Sequence, residues 1–452
     1  MNRKIWKALG IAVCMLALAA PRAMAKTYEV GMDASFIKFG DAVEAINQSG
    51  DAENEIVLME NITLGGNYIL TNSKKTTIKT TTIKGEGNTI TVNPGAGITV
   101  AGEKTVLNLG ANGYDGTLTI DGKTSGGFVS VLEGATANMY ENVTLQNRKS
   151  TGNACIVIMG SKSVFNMRGG VTENCSRAAI ADSGATFHMF DGDIKDCKVH
   201  GDGVILVYGE SKFIMDGGTI SGCEADAGGG LYADNSTVTI NNGTISECTA
   251  AIKEGGGLYA TNGSTININS GTISKCTADN GGGLYADNST VTISGGTISG
   301  CKGVWGGGLY AENSSTIEIS GGTISGCTVG AGGGLFVDSS TVRISGGIIS
   351  KCITSDTGNG GGLYAYNSTL NITGGTIKDN KAAHGGGVAL IGKTTFEKPI
   401  TNWTVIGNEA YATGGVGGGI KLENGSMDVS AGSNRIYNNT ADGHGADIFL
   451  LN

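Results

Sequence analysis

Apolar and polar residues alternate in short bursts along most of this chain, and the bursts return at a steady interval. In Leu284-Tyr285-Ala286-Asp287, Thr290-Val291-Thr292-Ile293 and Thr297-Ile298-Ser299, every second residue is apolar or small. Alternation of period two belongs to β-strands with one buried face, here carrying Leu284, Ala286, Val291, Ile293 and Ile298. The strands are separated by Gly281 to Gly283, Asp287-Asn288 and Gly295-Gly296, residue types that tolerate the positive φ of a tight corner. Three strands and three corners complete one unit.

The unit recurs. Three glycines followed by Leu, Val or Ile begin at Gly228, Gly255, Gly281, Gly306, Gly332, Gly360, Gly385 and Gly417, in steps of 25 to 32 residues. A fixed period in that range marks a solenoid. Three strands per unit predict an all-β fold, a right-handed parallel β-helix with like residues stacked ~4.8 Å apart.

One segment follows another period. Phe39, Val43 and Ile46 recur at helical spacing and Gly50 follows as a stop, so a short helix is expected there. It would cap the open end of the core. Residues 26–125 thus read as a cap with irregular first coils, containing strand-like stretches at 56–59, 68–70, 76–83 and 89–92. The regular β-helix is expected over 126–452, with cysteine-bearing coils at 154–380, an insertion at about 391–416 and terminal coils at 417–452. Ile158, Ile180 and Leu206 each precede a cysteine by 17 residues, as Leu231, Leu284 and Leu335 do, which predicts one shared column.

Composition sharpens this picture. Gly 78 with Pro 3 excludes collagen, which needs abundant proline and glycine at every third position. Residues 1–25 read as an export signal: Arg3, Lys4 and Lys7, then the apolar run Ala8 to Ala20, then Ala23-Met24-Ala25 for cleavage. An exported protein is expected, extracellular, at the cell surface or in the periplasm. The formal charge of −9 falls to about −13 without the leader's four basic residues, which argues against nucleic acid as a partner. No later stretch is apolar and long enough to cross a membrane.

The Gly-Gly-Gly-Leu and Ile-x-x-Cys motifs resemble the repeats of polymorphic outer-membrane proteins and related adhesin-like β-helix proteins. Ile377-x-x-Asn380, Val405-x-x-Asn408 and Ile436-x-x-Asn439 carry the asparagine of that family's Phe-x-x-Asn motif, while earlier coils put cysteine there. The resemblance covers about 126–452 without the family's C-terminal barrel, and it implies an adhesin-like surface protein of bacterial type. Its partners would be host or cell-surface glycans or proteins.

Four constellations could carry chemistry. Cys175, Cys197, Cys223, Cys248, Cys276, Cys301, Cys327 and Cys352 form a column continued by Asn380. In-register side chains point the same way, so buried thiols are favoured over strained disulfides, and a straight column suits metal poorly. Cys155 is expected outside the column as a stray thiol. Asp287, Glu312 and Asp338 form an acidic column that could be bridged by calcium; no other cofactor is implied. Tyr232, Tyr259, Tyr285, Tyr310 and Tyr364 form an outward aromatic row which, with Trp403 of the insertion, could contact sugars or partner proteins. Arg343 lies on a strand face with no recurrent partner. A pectate-lyase-like lyase or a glycosidase on the same fold is the alternative function, by analogy of fold alone. Leu450-Leu451-Asn452 falls just after a coil begins, which suggests end-to-end self-association.

Overall fold

Each β-strand of this chain hydrogen-bonds to the equivalent strand one coil away, so like residues lie beside like. The computed structural model describes residues 25–32, 34–36, 38–72, 77–122, 127–149, 154–424, 427–428 and 432–451. The segment expected to be a leader, residues 1–25, lies outside these except for Ala25. The first strands of the coils form one parallel sheet of fifteen, from Asn67–Thr71 to Ile448–Leu451. Leu258, Leu284, Leu309, Leu335 and Leu363 follow one another in it, all fully buried. The second and third strands make a 28-stranded parallel sheet. Its two halves are fused by the ten-residue strands Val164–Glu173 and Thr186–Lys195, each of which runs through a corner that later coils turn sharply.

The alternation pattern holds at the residue level. Leu284–Asp287, Thr290–Ile293 and Thr297–Ser299 are strands, with Leu284, Ala286, Val291, Ile293 and Ile298 buried. A fourth, two-residue strand follows the cysteine column, as at Thr328–Val329, Ile353–Thr354 and Lys381–Ala382, and closes the coil.

The helix is Phe39–Gln48, with Phe39, Ala42, Val43 and Ile46 buried. It packs on the strand Asn67–Thr71, where Tyr68 meets Phe39 edge-on at 5.5 Å. Buried Lys79 donates to the carbonyls of Ile46 and Ser49, which places a cation at the negative end of the helix.

The early coils correct the expected register. Ile205 and Ala179, not Leu206 and Ile180, align with Leu231, and Ile156 rather than Ile158 continues the column. These coils hold an extra residue or two before the cysteine. A one-residue slip moves a side chain to the opposite face, and Leu206 and Ile180 accordingly point outward, half-buried.

Candidate recognition surface

The triple glycine and the cysteine are two parts of one corner. The first glycine has positive φ, as at Gly281 (61°) and Gly306 (60°). The other two are needed for space. A Cβ on Gly282 would sit 2.2 Å from the Lys302 carbonyl oxygen, and one on Gly283 would sit 2.5 Å from that of Gly308 and 3.3 Å from Cys301 Sγ. Removing the Cβ lets adjacent coils stack and leaves room for the thiol. All eight thiols of the column are buried and unbonded. Where the column changes to asparagine it becomes a polar ladder: Asn380 Nδ2 donates to Asn408 Oδ1 and Asn408 Nδ2 to Asn439 Oδ1, both at 3.0 Å. Every buried amide there finds a partner.

Cys155 is not a stray. It occupies the place before the first strand that Gly230 and Gly257 hold in later coils, and its Sγ lies 2.7 Å from Cys175 Sγ. Sequence spacing hid this, because Cys155 enters the corner from its glycine side, 20 residues before the cysteine of its own coil, rather than from the column itself.

The aromatic row is continuous and longer than expected. Tyr232, Tyr259, Tyr285, Tyr310, Phe336 and Tyr364 stack with centroids 4.6 to 5.2 Å apart, and Trp305 meets Phe336 edge-on. Each inner ring is covered on both faces by its neighbours, and Tyr285, Tyr310 and Phe336 are buried. The row therefore presents hydroxyl edges rather than open faces on which a sugar could stack. Burial and neighbouring carboxylates push these phenols up, to about 12 for Tyr232. Trp403 is fully buried in the core. This corrects its expected surface role: within the insertion Thr404–Ile406 pairs with Thr376–Lys378 of the coil before it, and Trp403 faces inward beside that strand.

The acidic column sets Asp287 beside Glu312 in register, and both accept from Asn313 Nδ2. Asp287 accepts from Asn313 Nδ2 at 2.7 Å and Thr261 Oγ1 at 3.3 Å. Glu312 accepts from the Tyr285 and Tyr310 hydroxyls, and Asp338 from Ser339 Oγ at 2.8 Å. Among the described residues no three His, Cys, Asp or Glu side chains converge as a metal site, although Asp287 and Glu312 are partners in register.

A different feature gathers opposite charges. On the outer face of the large sheet, Thr292, Glu318, Arg343 and Asn371 are successive partners in register. They line a groove of about 300 Å³ together with Lys398. Arg343 lies 3.7 Å from Glu318 and 3.2 Å from Glu397, and Asn371 donates to Glu397 at 3.0 Å. A second hollow of about 490 Å³, lined by Lys393, Phe396, Lys398 and Asp428, lies along the insertion itself and shares Lys398 with the first. Arg343 has two carboxylate partners, neither of which recurs along the repeat. Glu397 was missed because it lies 54 residues further on, two coils away, where the repeat is irregular.

A family model described as right-handed beta helix region matches residues 182–341 and 253–408, together half of the chain. The chain belongs to the right-handed β-helix family. Membership in this β-helix family accounts for the coil and its corners, and it assigns no activity to the groove. No curated protein matches the chain.

Proposed function

We propose that this β-helix is an exported, non-enzymatic scaffold of the adhesin-like kind, a rod that presents its outer groove to cell-surface glycans or proteins. The observation that carries the reading is the position of Arg343 between Glu318 and Glu397. Glycosidic cleavage by paired carboxylates needs a gap of ~5–10 Å that admits the scissile oxygen and water. Here a guanidinium fills the gap. What remains is a binding surface, with Arg343, Asn371 and Lys398 as donors and Thr292 and Glu318 as acceptors along the rod. An exposed arginine can exchange a protein carboxylate for a ligand carboxylate or sulfate, because its planar fork fits each in two-point contact. Export is supported by the leader-like start, with Arg3, Lys4 and Lys7 before the apolar run.

The test is a panel of immobilised neutral, carboxylated and sulfated polysaccharides, scored for both retention of the protein and release of sugar. Retention without release, weakened by Arg343→Ala, is expected. Release of soluble sugar or of unsaturated chain ends would overturn the proposal in favour of an enzyme.

A further inference from the structure

We propose that Cys155 and Cys175 form a reactive dithiol that exchanges with small-molecule disulfides entering from the surface and closes into a disulfide across one coil. Four observations support this. The two sulfurs are 2.7 Å apart, closer than unbonded sulfurs ordinarily pack, and need move by only about 0.65 Å to bond.

The reason for that approach lies in the corner. A Cβ built on Gly230, Gly257, Gly283 or Gly334 would lie 3.3 to 3.5 Å from the sulfur of its own coil's cysteine. Cys155 puts a real side chain at that place and aims it at Cys175. Neighbours within the column differ: they sit on successive strands whose backbones are ~4.8 Å apart, with side chains pointing the same way. Cys155–Cys175 is therefore geometrically distinct from Cys175–Cys197.

Access is asymmetric. Cys175 lines a surface cavity of about 380 Å³ with Lys149, Lys198, His200, Asn174, Ser176 and Asp196. Cys155 is sealed behind it, fully buried. The cavity admits a tripeptide-sized disulfide arm but not the active site of a folded protein. Lys198 is paired with Glu224 at 2.6 Å, so Lys149 and the underlying cation supply most of the positive character.

That cation is Arg148, fully buried and close enough to both sulfurs to favour their ionised forms. The Cys155 thiol donates toward Cys175, which with Cys197 and Arg148 pushes the Cys175 thiol down, while burial pushes Cys155 up. A nucleophile facing the cavity and a protonated resolving thiol behind it follow.

The exchange runs in two steps. The Cys175 thiolate attacks one sulfur of the small disulfide, forming a mixed disulfide and expelling one small thiolate. Cys155 gives its proton to that thiolate, and its sulfur attacks Cys175 Sγ, expelling the second. The protein dithiol loses two electrons, and the small disulfide is reduced to one thiol and one thiolate, the latter taking its proton from solvent.

The test uses the full mature chain, reduced and then exposed briefly to glutathione disulfide under native conditions. Remaining thiols are alkylated, and peptides are mapped without reduction. A Cys155–Cys175-linked peptide is expected, formed at least ~10-fold faster than any adduct at the other ladder thiols. Cys155→Ser should trap the glutathione adduct on Cys175, and Cys175→Ser should abolish both products. Linkage of Cys175 to Cys197 instead would overturn the proposal. So would an unreacted native chain whose unfolded form reacts readily; both readouts stand on the unsubstituted protein if a variant fails to fold.

Discussion

Replacing Gly283 with alanine tests the claim that the third glycine of each triplet exists for close approach rather than for backbone conformation. Gly283 does not have a left-handed φ, so alanine brings no backbone strain. Its Cβ would stand 2.5 Å from the Gly308 carbonyl oxygen and 2.8 Å from Ile298 Cγ2. That carbonyl accepts the Leu284 amide at 3.0 Å, so relief by backbone movement weakens an inter-coil hydrogen bond. Overpacking costs about 1–3 kcal/mol and a weakened buried hydrogen bond about 1 kcal/mol, so a loss of about 2–4 kcal/mol is expected. Gly65→Ala is the contrast, since Gly65 has nothing within 4 Å and an ordinary φ. There alanine should stabilise by about 0.4–1 kcal/mol through the unfolded chain. Urea unfolding gives the two signs, and native-state hydrogen exchange gives the location. In a solenoid each coil contacts only its neighbours, so protection should fall around Leu258 to Glu312 and persist near Ile83. Equal effects of the two substitutions, or a loss spread evenly along the rod, would refute the reasoning.

Asn408→Ala should cost about 2–4 kcal/mol in the same urea assay, because it strands the buried Asn380 amide and the Ile377 carbonyl. Alkaline titration should show late phenolate absorbance. A raised folded pKa means that the unfolded chain ionises first, so stability is full below about pH 10 and falls as pH rises towards about 12 for Tyr232. Normal titration with no loss of stability would contradict the stacked row. Asp216 is held below the usual carboxylate range by hydrogen bonds from Asn241 and then His188. Its contribution is present above the ordinary value of about 4 and is lost as pH falls through the lowered one, so Asp216→Asn should flatten the acid side of a stability–pH curve. Arg343→Ala should leave the melting temperature nearly unchanged, since exposed ion pairs are worth about 0–1 kcal/mol, while glycan retention drops.

The coil itself was legible because its signals are local. Period-two alternation placed Val291, Ile293 and Ile298 inside, and turn residues marked the corners. The capping helix was legible for the same reason, from Phe39, Val43 and Ile46. The candidate groove was not. Glu397 reaches Arg343 across a coil whose strands carry no column residue facing them with charge, and no spacing rule connects the two. Trp403 misled because an aromatic residue in an irregular stretch reads as exposed, whereas inter-coil pairing at Thr404–Ile406 turns it inward. The aromatic row was visible, but its mutual stacking, which covers the ring faces, was not.

By itself the sequence determined the repeat, the faces of each strand and the columns of Leu, Tyr, Cys and Asn, because strand period and corner propensity act over a few residues. Only the tertiary structure decided which residues of unequal coils meet. Coil lengths vary, and inter-coil hydrogen bonds rather than residue counts set the register. That is why Ile205 and not Leu206 continues the core, why Cys155 meets Cys175, and why Arg343 has carboxylates on both sides.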